Sequence, residues 1–343
     1  MSRDVTISSH ESKEDRELFV KLRPANLDEF VGQRKVVENL RISLEATQRR
    51  GEALDHALFY GPPGLGKTCL AHIIAAELGT SLTCTSGPAL ERPGDLVGLL
   101  TNLQRGDLLF IDEIHRLPNP VEEFLYSAME DFRIDFVIDR GPYAKTIRLD
   151  LAPFTLIGAT TRAGALTPPL RERFGLFHHL DFYGEEDLAS IITRSAQLLS
   201  VDCTQDGAFE LAGRSRGTPR IANRLLRRAR DWAEVKASGQ INEEVANATL
   251  TLLGVDTLGL DELDRAFLSA IVTVYKGGPV GIEALAATLN ESVDTLDDMV
   301  EPYLLKLGFI ARTPSGRKAT EAAYKHLGLV REAGQFALRF DFD

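Results

Sequence analysis

The sequence predicts an α/β protein, a doubly wound parallel sheet, followed by a helical segment and a small unit of helices and a hairpin. Three observations predict it. Between residues 18 and 182 short apolar runs alternate with helical patterns. A glycine-rich segment, GPPGLGKT (61–68), joins one such run to the next helix. Beyond residue 183 the strand signals stop, and near the C-terminus helices give way to GFIARTPSGRKAT (308–320), read as two short strands around a Pro-Ser-Gly turn.

The strands are predicted at ALFYG (57–61), LTCTS (82–86), LLFID (108–112), FTLIGAT (154–160) and HHLDF (178–182). Several are unbroken apolar runs, which suit a parallel sheet buried on both faces. Helices are expected over 67–79 and 120–130, giving a doubly wound order. Three or four helices should occupy 183–255. Helices near 261–275, 282–289 and 293–306 then precede the hairpin, the pattern of a winged helix. The expected organisation is a polar leader (1–17), read as disordered, a large domain (18–182), a helical domain (183–255), a winged helix (256–330) and a tail (331–343). A segment DFRIDFVIDRGPYAKTIRL (131–149) reads as a hairpin inserted between two core strands, with Phe136, Val137 and Ile138 as an apolar tip or edge.

Composition narrows the function. The 343 residues are 44% hydrophobic and 26% charged, with a formal net charge of −11. That balance argues against a protein that binds nucleic acid with its whole surface, although a local basic patch stays open. Three cysteines, Cys69, Cys84 and Cys203, lack metal-like spacing and fit reduced thiols in a cytoplasmic protein. No apolar run approaches the ~18 residues of a membrane span.

The glycine-rich segment fits GxxxxGK[ST], with Gly61, Gly66, Lys67 and Thr68 in place and Gly64 as a further permissive position. Glycines let successive N–H groups turn inward around phosphate, and the helix start adds its dipole. Lys67 can reach the β- and γ-phosphates, and the Thr68 hydroxyl can ligate Mg²⁺. In LLFIDEIH (108–115) an apolar strand ends in two acids. Asp112 falls near the metal, and Glu113 can deprotonate or orient a water aimed at the γ-phosphate. In TLIGATTR, Thr160 ends a strand and can hold that water. PLRERF carries Arg171 and Arg173, and RGTPRIANRLLRRAR carries Arg220 at a helix start, where it can clamp a phosphate. ATP hydrolysis is the chemistry these residues serve.

The chain resembles the RuvB family, the AAA+ motors of Holliday-junction branch migration. The matching stretches run from LRPANLDEFVGQ (22–33) through LDHALFYGPPGLGKT, TSGP, LLFIDEIHRL, LYSAMEDF, FTLIGATTRAGALTPPLRERFG and RGTPRIANRLLRRARDWAEV to GGPVG and EPYLLKLGFIARTPSGR (301–317). The resemblance implies an AAA+ P-loop core with a five-stranded parallel sheet, a helical lid and a C-terminal winged helix. It implies ATP and Mg²⁺ as cofactors and homo-hexameric rings around duplex DNA. Its implied partners are a RuvA-type junction-binding protein and a RuvC-type resolvase. Residue by residue, it implies that Leu22 and Arg23 frame the adenine. Gly64, Gly66, Lys67, Thr68 and Cys69 hold phosphates, with Asp112 and Glu113 as the Walker B pair. Glu130, Asp131 and Phe132 lie near the nucleotide, Thr160 is the first sensor, Tyr183 a nucleotide contact and Arg220 the second sensor. Arg173 is the finger that enters a neighbouring subunit's site, and the 131–149 hairpin docks RuvA.

The chain departs from the family at Cys69, where a second threonine is usual, and at Ser127, where proline is usual. The helix N-terminus and Lys67 are expected to favour a Cys69 thiolate. The third helix of the winged unit carries Glu291, Asp294, Asp297, Asp298 and Glu301 and suits a major-groove reader poorly. Arg312 and Arg317, flanking the turn, are expected to touch DNA backbone instead. Two other classes fit the P-loop alone: a clamp-loader-like or protein-remodelling AAA+ ATPase, and an ATP-gated transcription regulator.

Overall fold

The computed structural model describes residues 20–138 and 145–329, with the side chains of 136–138 and 145–147 outside the description. The expected leader, the tip of the inserted hairpin and the tail lie outside the described residues. The chain forms two compact units and passes from one to the other within the helix Glu243–Leu252, between residues 245 and 246.

The first unit is built on a five-stranded parallel sheet. Its strands are β1 (Ala57–Tyr60), β2 (Leu82–Ser86), β3 (Leu108–Asp112), β6 (Thr155–Thr160) and β7 (Leu176–His179), in the order β2-β3-β6-β1-β7. Between β3 and β6 lie β4 (Arg133–Ile138) and β5 (Lys145–Asp150), an antiparallel pair that forms its own small sheet. The apolar runs explain the order. All six residues of β6 are buried, as are the first four of β3 and the first three of β1. Strands with no polar face need neighbours on both edges and cover on both faces.

The last strand is displaced from its expected place. It spans 176–179 rather than 178–182, because pairing with β1 sets its register, Ala57 opposite Leu176 and Tyr60 opposite His179. The Leu180 N–H still donates to the Tyr60 carbonyl at 2.8 Å, after which the chain leaves the sheet. Residues 181–183 are used elsewhere.

The helix after the P-loop covers Lys67–Leu78 and stops at Gly79, whose φ of 66° ends it in the left-handed conformation. Helices Glu185–Leu198, Gln205–Gly213 and Pro219–Lys236 follow the sheet. A two-residue parallel pairing, Asp202–Cys203 with Gln240–Ile241, ties them together, and the sequence pattern gives no sign of it. Two-residue strands carry no periodicity to read.

The second unit holds helices Glu262–Ser269, Ile282–Leu289 and a composite third helix over 293–306. A hairpin follows, β10 (Ile310–Thr313) and β11 (Gly316–Ala319), antiparallel with Arg312 opposite Arg317. Among the described residues no helix is long and apolar enough to cross a membrane.

Candidate nucleotide site

The phosphate loop, the Asp112–Glu113 pair and Thr160 hang from the C-terminal ends of sheet strands, the edge where open α/β sheets take ligands. Beyond β1 the loop holds Gly61, Gly64 and Gly66 at φ of 140°, 79° and 104°, a region where L side chains are strained. Successive N–H groups can therefore converge. Gly64 answers to a second constraint: a Cβ there would come within 3.1 Å of the Arg220 Cβ. The helix that starts at Pro219 thus lies against the phosphate loop, and the Arg220 N–H points at the Gly64 carbonyl at 3.4 Å. Lys67 is buried and its Nζ donates to the carbonyls of Gly61 and Pro62, each at 2.8 Å.

Asp112 closes β3, and Glu113 sits at φ 47°, a left-handed backbone unusual for a glutamate. Such strain at a strand end turns the next side chain out of the ladder. The Glu113 N–H donates to Asp112 Oδ1 at 3.0 Å, and the Glu113 carboxylate pairs with Arg116 at 3.1 Å. Burial pushes the Asp112 carboxyl above its usual value, against the Glu113 N–H and the Lys67 charge, which lower it. A carboxylate raised by desolvation gains from a nearby cation. Together with the Thr68 hydroxyl it is an all-oxygen donor set that suits a hard divalent ion such as Mg²⁺. Beneath this turn a Cβ on Gly87 would lie 2.4 Å from the Glu113 carbonyl oxygen, which accounts for the glycine of TSGP.

Thr160 ends β6 opposite Tyr60, and its carbonyl accepts the Gly61 N–H at 3.2 Å. Its hydroxyl accepts the Arg162 N–H at 2.9 Å and is bonded to His115 Nδ1 at 2.9 Å. His115 therefore ties Thr160 to the turn after β3. Only its place two residues after Glu113 in DEIH hinted at this in the sequence.

Tyr183 joins three segments. Its hydroxyl donates to the Leu65 carbonyl of the phosphate loop at 3.1 Å, and its N–H donates to the Gly217 carbonyl at 2.8 Å. Burial holds its phenol far above the usual range. Gly32 packs against the ring, where a Cβ would meet Tyr183 Cε1 at 2.6 Å. Gln33 closes the contact: its Nε2 donates to the Asp181 carbonyl at 2.6 Å and its Oε1 accepts the Asp181 N–H at 3.2 Å. These bonds take residues 181–183 out of the sheet. Nothing in the local sequence around Gly32 and Gln33 signals this contact.

Leu22 is buried, and the carbonyls of Leu22 and Arg23 accept from Arg194 at 3.0 and 3.3 Å. Arg194 also pairs with Glu29 at 2.7 Å. A residue of the helix Glu185–Leu198 thus fixes the segment expected to frame adenine. Cys69 corrects an expectation. Burial raises its thiol above the usual value, outweighing the charges of Arg23 and Arg194, so the neutral thiol is favoured. Desolvation of the anion outweighs the pull of the helix start.

A second group of expected residues gathers around Arg173. Its guanidinium donates to Glu130 at 2.7 Å and to the Pro169 carbonyl at 2.7 Å, and lies 4.6 Å over the Tyr126 ring. Asp131 pairs with Arg133 at 2.8 Å. Phe132, at φ 50°, meets Phe154 edge-on with centroids 5.9 Å apart. Glu130, Asp131 and Phe132 therefore contact these partners, whereas the P-loop backbone meets Tyr183 and Arg220. The backbones of Phe136, Val137 and Ile138 pair with those of Ile147, Thr146 and Lys145 in the β4–β5 ladder.

In the second unit the two hairpin arginines are engaged. Arg312 donates to Glu301 at 2.6 Å and to Asp297 at 3.0 Å. Arg317 spans both Glu301 oxygens, 2.8 and 3.1 Å being its shortest contacts, and reaches Asp297 at 3.3 Å. Like charges directly across a strand pair repel. Glu301, fully buried, and Asp297 together offset the two charges. Burial alone would raise the Glu301 carboxyl; the bonds and charges of Arg312 and Arg317 overcome this and hold it below its usual value. Asp297 and Glu301 of the third helix thus have a structural role. Arg317 is more a pin than an open phosphate contact, while the Arg312 side chain is 55% exposed.

A parallel sheet in this order, a Walker A loop, two acids at the end of the strand one place beyond its neighbour and a helix start laid over the loop define a P-loop ATPase of the AAA+ class. Family models narrow the class. The RuvB P-loop domain matches residues 22–180, the RuvB AAA lid domain 183–256 and the RuvB C-terminal winged-helix domain 257–328. The chain belongs to the RuvB family. It is 58% identical over 335 residues to the Holliday junction branch migration complex subunit RuvB of a Parafrankia species, covering 98% of this chain and 95% of that one. It is 55% identical over 336 residues to the same subunit of Salinispora tropica, with the same coverage. The solved structure of the Thermotoga maritima RuvB branch migration motor superposes with a TM-score of 0.83 at 53% identity, covering 90% of this chain and 99% of that one.

Proposed function

We propose that this chain is an ATP-driven motor of Holliday-junction branch migration. It works as homo-hexameric rings around duplex DNA, beside a junction held by a RuvA-type protein and ahead of a RuvC-type resolvase, in recombination and repair in the cytoplasm. One observation carries the reading: the phosphate loop, the Walker B pair, Thr160, Tyr183 and Arg220 converge, while Arg173 makes its contacts with other groups. A cation with that placement suits a neighbouring copy's nucleotide rather than its own.

In this mechanism the N–H groups of Gly64 to Lys67 bind phosphate, and Lys67 exchanges two carbonyls for phosphate oxygens. Thr68 and Asp112 would hold Mg²⁺, which supplies neutralisation of phosphate charge when bound. Glu113 leaves Arg116 and takes the proton of a water that Thr160 orients. Leu22 and Arg23 frame the base, and Tyr183 and Arg220 pass the nucleotide state to the lid helices. Arg173 stabilises charge developing in the neighbour's site; such a residue contributes about 10³ to 10⁵ in rate. Phe136, Val137 and Ile138 dock the junction-bound partner. Arg312 meets phosphate backbone on the surface that Arg317 keeps in shape.

The test is strand exchange on a synthetic four-way junction, with full chain, a RuvA-type protein and ATP. ATP-dependent conversion to two duplexes, lost in Lys67→Ala, is expected. Turnover of ATP without junction conversion, but with remodelling of a protein substrate, would return the chain to the remodelling class.

A further inference from the structure

We infer that Tyr126 is a positioning residue for Arg173, with Glu122 and Thr167 holding its ring in place. The inference rests on the proposed reading of Arg173 as the residue that reaches a neighbouring copy's nucleotide.

Glu122, Tyr126 and Glu130 recur every fourth residue along the helix Asn119–Asp131 and so share one face. Glu122 is buried. The Tyr126 hydroxyl donates to Glu122 Oε1 at 2.7 Å, and the Thr167 hydroxyl donates to the same oxygen. The two hydroxyls are 3.1 Å apart. Thr167 is also the N-cap of the helix Pro168–Glu172, accepting the Leu170 N–H at 3.4 Å, and that helix delivers Arg173 directly after its last residue. The buried carboxylate therefore bolts together the helix that carries the arginine and the helix that carries its seat.

The guanidinium has three supports, which differ in kind. Glu130 neutralises it and is 63% exposed, so a phosphate can replace that partner. The Pro169 carbonyl anchors one nitrogen. The Tyr126 ring attracts the cation without cancelling its charge, so it can keep hold while phosphate is engaged. A long side chain aimed beforehand loses less on reaching developing charge.

The test measures kcat, KM, affinity for a fluorescent ATP analogue and melting temperature in the full chain. Tyr126→Leu should lower kcat about tenfold, with KM and analogue affinity within about twofold, because the arginine's aim is lost and the protein's own site is intact. Tyr126→Phe keeps the ring and should fall less, about threefold. Mixed with Lys67→Ala, which offers an intact Arg173, the Tyr126→Leu protein should regain turnover. Three results would overturn the inference: a wild-type kcat in Tyr126→Leu, equal falls in the Phe and Leu variants, or no recovery in mixtures where Arg173→Ala does recover. Failure of Arg173→Ala itself to recover in rings shown to co-assemble would remove the reading of Arg173, and this inference with it. If Tyr126→Leu does not fold, Glu122→Gln decides: kcat should fall about threefold at unchanged KM, and an unchanged kcat overturns the inference.

Discussion

Lys67 in the phosphate loop and Arg317 in the C-terminal hairpin are both largely buried cations, and they are held in opposite ways. Lys67 rests on two backbone carbonyls, Arg317 on a buried carboxylate and a second acid. Carbonyls satisfy hydrogen bonds without cancelling charge, and the Lys67 charge acts on Asp112, whose carboxyl it pulls down. Carboxylates cancel the charge, so Arg317 is committed to the fold. The difference teaches that a buried cation's partner, more than its exposure, separates a binding group from a structural one.

The comparison can be broken at several points. The largest effect is expected at the first region's chemistry. Glu113→Gln should retain nucleotide binding yet lose ATP turnover by about 10² to 10⁴, the range of a general base. Equilibrium binding beside single-turnover hydrolysis checks this, and wild-type turnover would remove Glu113 from the base role.

Next comes the hairpin. Arg317→Ala leaves Glu301 buried with one partner fewer and should destabilise the C-terminal unit by about 2–3 kcal/mol. Arg312→Ala, more exposed, should cost less stability and instead weaken duplex binding about equally across sequences, lowering the salt slope by ~0.9 per lost phosphate contact. Hydrogen exchange of residues 246–329 reads the first, and salt titrations of DNA binding read the second. Equal stability losses in the two variants would erase the distinction between pin and contact.

The two units should also differ in acid. In the first, His56 donates from Nε2 to the Met129 carbonyl at 3.0 Å and accepts the Leu156 N–H at Nδ1 at 2.8 Å, which fixes it neutral. Burial lowers its basicity below the ordinary value of 6.5, so the unfolded chain takes the proton first and stability falls as pH drops below 6.5. Glu301 is held below its ordinary value of 4.5, so its contribution is present above 4.5 and lost as pH falls through the folded value. Exchange protection followed against pH should fail first in the sheet unit. Simultaneous loss would contradict the assignment.

The smallest effect concerns Cys69. A thiol is a weaker donor than a hydroxyl. Cys69→Thr should keep activity and tighten nucleotide binding by no more than ~1 kcal/mol. With the neutral thiol favoured, alkylation of the wild-type residue should be slow with or without nucleotide. Rapid labelling of the free protein would restore the thiolate expected from the helix start.

The strands, the phosphate loop and the hairpin turn were legible because their signals are local. Unbroken apolar runs, glycines at fixed spacing and a Pro-Ser-Gly turn follow from backbone sterics and burial, which neighbouring residues determine. The sequence by itself determined the sheet class and the family, and it set Lys67 at a helix start and Asp112 at a strand end with Glu113 next to it. Tertiary structure decided what depends on distant partners. β7 took its register from β1, against its own pattern. The neutral state of Cys69 came from burial, which no neighbour in sequence reports. Gln33 met Asp181, His115 met Thr160, and Glu122 met Thr167 across separations that carry no periodic signal. The acids of the winged unit's third helix spoke only against a major-groove reader until the fold set two of them against Arg312 and Arg317. Charge is written in the sequence, but whether a charge is free or neutralised is decided by the side chains that folding brings beside it.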